Sequence, residues 1–160
     1  MTDAELHPDV AALRFLLGRW VGEGRGEYPT IDPFTYGEEL RFWHVGKPFL
    51  AYSQRTWHVV DGRPLHSETG YWRLPGGGPV LELLLAHPTG VIEVEQGAVE
   101  GSRIELATTD VVRTPSAKEV TALARTIEVH GDVMTYALRM AAVGRSLEPH
   151  LTAELRRQAG

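Results

Sequence analysis

A chain of 160 residues, 42% hydrophobic and 23% charged, has the size and composition of one folded domain, here taken as residues 1–160, and not of a disordered or fibrous chain. Its formal net charge of -5 at pH 7, with Lys and Arg scattered singly, removes nucleic acid from the expected partners. The absence of cysteine excludes disulfides, thiol nucleophiles, iron–sulfur clusters and covalently attached haem, so any haem must be exchangeable.

The acidic start, Met1 to Pro8, lacks the basic and apolar regions of a secretory signal, so the cytoplasm is the expected location. No apolar run approaches the ~20 residues that cross a bilayer; the longest, residues 80–86, is interrupted by Glu82, and no membrane partner is expected. Val10, Leu13, Leu16 and Leu17 fall at helical spacing between Pro8 and Gly18, which predicts one short N-terminal helix over 9–17.

From Arg19 onward the pattern changes to period two, rich in β-branched and aromatic residues. Ten strands are predicted, over 19–27, 35–45, 49–60, 63–74, 79–87, 89–98, 102–110, 118–130, 132–142 and 148–157. Gly46-Lys-Pro48, Asp61-Gly62, Pro75 to Pro79, Pro88-Thr-Gly90, Glu100-Gly101 and His130-Gly-Asp132 supply the turns between them. Consecutive hairpins make a meander, and closing it removes two unpaired edges. The expected fold is therefore all-β: a ten-stranded antiparallel up-and-down barrel, calycin-like, with room inside for a ligand. Along 133–140 the bulky Met134, Tyr136, Leu138 and Met140 share one face, which is read as inward; Met140 fills a core gap or touches a ligand.

Gly18-x-Trp20-x-Gly22-x-Gly24 opens the first strand. Glycines at every second position strip one face of side chains, and Trp20 is suited to plug a barrel end. A dinucleotide fingerprint would need a helix after the glycines, and strand follows instead. The motif continues into Gly26-Glu-Tyr-Pro-Thr30, and Tyr36-Gly-Glu-Glu39, Gly46-Lys-Pro48, Glu68-Thr-Gly-Tyr71 and Leu147-Glu-Pro-His-Leu151 follow in order. Together these segments, which span nearly the whole chain, closely resemble the nitrobindin family.

That resemblance implies a barrel holding one non-covalent haem b per chain. It further implies that the ferric form isomerises peroxynitrite to nitrate and that the ferrous form binds nitric oxide. The matching positions give His150, Thr30 and Lys118, and Met140 and Leu65 complete the candidate haem-binding set, with His150 as the metal ligand and the opposite side of the haem apolar and open. Lys118 follows a loop, residues 112–116, that differs in length from the family pattern.

Seven histidines compete for the iron. His7 and His130 lie in a terminal segment and a turn, where solvated histidines are usual. His44 and His58 read as wall or rim residues beside aromatics. His66 and His87 flank turns at the barrel mouth and are the candidates to meet a distal ligand. His150 follows Pro149, which stiffens the entry to the last strand. The rival reading is a non-catalytic carrier or sensor of a lipid, porphyrin or nitric oxide, since the fold does not separate the two. A serine hydrolase is disfavoured: no Gly-x-Ser-x-Gly occurs, and Ser53 and Ser67 fall within strands. A homodimer through a barrel wall is compatible with the sequence.

Overall fold

The computed structural model describes residues 4–160; residues 1–3, the first of the acidic segment and of the expected domain span, lie outside it. A 3-10 helix, Pro8–Leu16, leads into β1 (Gly18–Tyr28), and β2 (Ile31–Trp43), β3 (Leu50–His58), β4 (Pro64–Arg73) and β5 (Val80–Ala86) follow. Next come β6 (Val91–Glu100), β7 (Arg103–Arg113), β8 (Val120–His130), β9 (Val133–Ala142) and β10 (Glu148–Arg157). Each strand pairs antiparallel with its chain neighbours, and β10 returns to β1, closing a barrel of ten strands among the described residues. The two-residue turns Gly101-Ser102 and Gly131-Asp132 begin at φ 59° and 61°, the left-handed geometry that tight hairpins need and glycine adopts without strain.

Two elements differ from the sequence expectation. The N-terminal helix is 3-10 in form. Val10, Leu13 and Leu16 are spaced by three, so at three residues per turn they stack on one face, and all three are fully buried. β2 starts at Ile31 instead of residue 35, because β1 and β2 stay paired from Gly26↔Phe34 to Tyr28↔Ile31 around their tight turn.

The alternate glycines of β1 leave space that β2 fills with rings. A Cβ on Gly24 would meet the Tyr36 ring at 2.3 Å and one on Gly26 the Phe34 ring at 2.2 Å. Gly22 instead lies against the backbone of β10, where a Cβ would stand 2.1 Å from the Glu154 carbonyl oxygen. The 3-10 helix seals one end of the barrel: Val10, Leu13, Leu16 and Trp20 join Leu81, Leu83, Ile104, Met134 and Leu155 in one buried core. Trp20 Nε1 donates to the Leu16 carbonyl at 2.8 Å, and the Arg157 guanidinium lies 4.2 Å over its ring. The other half of the barrel is hollow.

Candidate functional site

The hollow half is a cavity of about 610 Å³, within the ~300–1,000 Å³ of ordinary ligand sites. Its floor is the upper surface of the core, at Leu40, Phe42, Tyr52 and Trp72. Its walls carry Phe34, Leu65, Leu138, Met140, Leu151 and His150.

A β-bulge positions His150. β10 pairs with β9 as Pro149↔Arg139 and then Leu151↔Leu138, leaving His150 as the extra residue, which is how a bulge re-aims one side chain. The register on β1 likewise slips between Gly26 and Tyr28, freeing Glu27. His150 Nδ1 lies 3.0 Å from the Glu27 carbonyl oxygen. A carbonyl only accepts, so Nδ1 carries the proton and Nε2 keeps its lone pair. Tyr28 meets the imidazole edge-on, with centroids 5.6 Å apart at 77°, and its hydroxyl accepts from the Ala142 amide at 2.9 Å. The ring is therefore held in one tautomer with one nitrogen unengaged. That is what a histidine that would hold haem iron requires, and the apolar walls suit a porphyrin, so the residues present fit this group.

The cavity is not apolar throughout. Below the walls lies a connected set of buried polar groups. His66 Nε2 is 3.0 Å from His87 Nδ1, and His87 Nε2 bonds Glu93. Arg125 joins Glu93 at 2.9 Å, contacts Glu95, and lies 3.8 Å from Glu68, which accepts from the Tyr52 hydroxyl at 2.9 Å. Burial works against the Arg125 charge, but Glu93 and Glu68 more than offset it and hold its pKa above the usual arginine value. Burial also opposes the Glu93 charge, and Arg125 and His87 outweigh it, so its pKa is lowered. His66 has only partial compensation, and burial lowers its pKa. On the opposite wall Tyr36 donates to Tyr136 at 2.7 Å, and Tyr136 donates to Glu38 at 2.9 Å.

Of the sequence-derived residues, His150, Met140, Leu65, His66 and His87 all line the cavity, as does His58 at the end of β3. Thr30, in the β1–β2 turn, and Lys118, in the β7–β8 loop, are outside the lining. The exposed cation on the wall is Arg63, which reasoning from sequence did not single out. The roles of Glu68, Glu93, Glu95 and Arg125 were missed as well: Glu68 entered only as the first residue of the Glu68-Thr-Gly-Tyr71 segment, and the sequence signal of the other three is their place on the inward parity of strands whose neighbouring residues face out.

Fold and site together define a closed ten-stranded barrel with a ligand-sized cavity beside one pre-oriented histidine. The family model described as THAP4-like, heme-binding beta-barrel domain matches residues 9–157, and the chain belongs to that family. It is 58% identical over 158 residues to peroxynitrite isomerase 1 of Mycolicibacterium paratuberculosis, covering 96% of this chain and 98% of that one. With peroxynitrite isomerase 1 of Mycobacterium tuberculosis it shares 53% identity over 161 residues, again covering 96% and 98%. The crystal structure of Rv2717c from M. tuberculosis matches at a TM-score of 0.91 and 51% identity, over 97% of this chain and all of that one. Among the described residues no helix is long and apolar enough to cross a membrane.

Proposed function

We propose that this protein holds one haem b per chain through His150 and isomerises peroxynitrite to nitrate in its ferric state, with nitric oxide as a ligand of the ferrous state. The observation that carries the reading is the His150 Nδ1–H donated to the Glu27 carbonyl, which leaves Nε2 free in a cavity of suitable size. The names and 53–58% identities of the relatives support the substrate. Haem, when bound, supplies an iron centre that takes anionic or diatomic ligands and rearranges peroxynitrite.

The chain's own residues do the rest. His150 would bond the metal, the Glu27 carbonyl and Tyr28 hold its ring, and Leu65, Leu138 and Met140 would pack the cofactor and exclude water from the site. Arg63 is the wall cation we assign to a cofactor carboxylate; Thr30 and Lys118, outside the lining, carry no part of this assignment. His66 and His87 both line the cavity, but their facing nitrogens engage each other and His87 Nε2 engages Glu93, so neither ring is assigned to a bound anion.

A fatty-acid carrier needs a free cavity cation for its carboxylate; the buried Arg125 guanidinium already faces Glu68, Glu93 and Glu95, which leaves Arg63 at the wall for either reading, so the two are separated by experiment. The test is stopped-flow peroxynitrite decay with hemin-loaded protein, haem-free protein and the loaded His150→Ala variant, with nitrate yield read alongside. The expected result is acceleration by the loaded wild type alone, and loss of most hemin affinity in His150→Ala. Loaded protein that binds nitric oxide yet leaves peroxynitrite decay unchanged would replace the isomerase with a sensor. Unchanged hemin affinity in His150→Ala would move the metal ligand elsewhere.

A further inference from the structure

The cavity holds a second group of ligand atoms that the haem assignment does not use. His66 and Glu68 stand two residues apart on β4 and so share its inner face, and His87 directly follows Ala86, the β5 partner of Thr69. This pairing sets His66 Nε2 3.0 Å from His87 Nδ1, and His87 Nδ1 3.5 Å from Glu68 Oε2. One ligand atom from each of the three residues lies within 4.8 Å of the other two. Two ligands held ~2.1 Å from a tetrahedral ion stand about 3.4 Å apart. The two observed separations bracket that value.

The surroundings are arranged as they are around bound metals. His87 Nε2 bonds Glu93, which keeps the proton on Nε2 and turns the Nδ1 lone pair toward His66 and Glu68. Metal-ligating histidines are fixed by this same carboxylate partner. Glu93 is in turn gripped by Arg125, and the Tyr52 hydroxyl occupies Glu68 Oε1, leaving Oε2 toward the histidines.

Charge decides what kind of ligand fits. Glu68, Glu93 and Glu95 are 8%, 0% and 0% exposed, and among the described residues one guanidinium, that of Arg125, faces all three. With His87 neutral, as a metal-ligating imidazole must be, three formal negative charges against the one guanidinium leave two uncompensated in the barrel interior, where unbalanced charge is costly. Glu95 Oε2 has no hydrogen-bond partner among the described residues. A divalent cation supplies the missing two charges; an anion or an apolar molecule does not.

We infer that His66, Glu68 and His87 form a binding site for a divalent transition-metal cation of the zinc class, inside the barrel and separate from His150. Two imidazoles and one carboxylate are the donor set of open zinc and non-haem iron sites. All three residues line the cavity, so the remaining coordination position faces the space where small ligands enter. The site does not depend on the haem assignment, because none of its ligands is His150.

The test uses the full chain, both haem-loaded and haem-free, in equilibrium dialysis against zinc, with anomalous diffraction at the zinc edge on crystals grown with the metal. The expected result is a single saturable zinc per chain and an anomalous peak between His66, Glu68 and His87. His87→Gln and Glu68→Gln should abolish that saturable binding, Glu93→Gln should weaken it about 10- to 100-fold, and His150→Ala should leave it unchanged. Absence of saturable binding at micromolar zinc overturns the site, as does a peak confined to His150 or to surface histidines, or undiminished affinity in His87→Gln. Diffraction from the unaltered chain locates the metal whether or not any variant folds.

Discussion

Glu38 and Glu39 are adjacent on β2 and point to opposite faces. Glu39 meets Arg41 at 2.9 Å and Arg55 at 3.1 Å on the outer surface, whereas Glu38 faces inward to Gln54 and Tyr136 with no surface exposed. Burial pushes the Glu38 pKa up to about 7, opposed by the Tyr136 and Gln54 hydrogen bonds and reinforced by Glu68. The folded state therefore holds this proton more tightly than the unfolded state does. Stability falls as pH rises from about the usual carboxylate value of 4.5 through about 7. At ~1.4 kcal/mol per unit the loss at its full extent is roughly 3 kcal/mol. Glu38→Gln should flatten this limb of the stability curve and raise the denaturation midpoint above neutral pH, read by urea melts across pH. A slope identical to wild type would show that Glu38 does not hold the proton. His150 was within reach of the sequence because Pro149 and the Leu147–Leu151 segment frame it. Its partner was not, because a backbone carbonyl freed by a bulge leaves no mark in side-chain pattern. The buried carboxylates were hidden for the opposite reason. On β6, Glu93 and Glu95 point inward while Ile92 is 50% exposed, so the usual rule of apolar residues inside assigns that strand the wrong face.

At the scale of elements, β1 and the 3-10 helix carry the parts of the fold easiest to misjudge. The glycine alternation was legible as a stripped strand face, but not what fills it, since ring-over-glycine packing depends on the register with β2. Gly24→Ala should displace the buried Tyr36 ring, break its bond to Tyr136, and cost about 1–3 kcal/mol as overpacking does. A variant as stable as wild type, with an unshifted tyrosine environment in near-ultraviolet circular dichroism, would contradict that packing. The helix was legible from four apolar positions, of which Leu17 falls just past its end, and its 3-10 form goes with the spacing of three among the buried Val10, Leu13 and Leu16. Trp20 closes the same end, and Arg157 lies over it while donating to the carbonyls of Phe15 and Leu17. Trp20→Ala should cost about 3–5 kcal/mol in chemical denaturation. Hemin uptake below the lowered melting temperature should persist, because Trp20 belongs to the sealed end and not to the cavity. A variant with wild-type stability and no hemin uptake would show Trp20 to be a binding residue.

For the whole molecule, ten strands in meander order were readable from turn chemistry, and closure followed from the cost of two open edges. What sequence leaves open is which wall residues face one another across the lumen, since that depends on strand tilt and stagger accumulated around the barrel. Closure also sets when the site comes into being. The imidazole of β10 and the carbonyl of β1 that orients it are 123 residues apart in the chain and meet only across the final seam. A nascent chain that has released β1 to β9 still lacks Leu151 of the wall, the proposed metal ligand His150 and the pairing that aims it. On the proposed His150 assignment, cofactor capture is deferred until synthesis has passed residue 157 and the last strand has zipped onto the first. Ribosome-stalled chains ending before residue 148 should show no hemin-specific absorbance, and chains extended past 157 by a linker long enough to clear the exit tunnel should acquire it. Hemin-specific absorbance at the shorter length would mean that the iron is held before the seam forms.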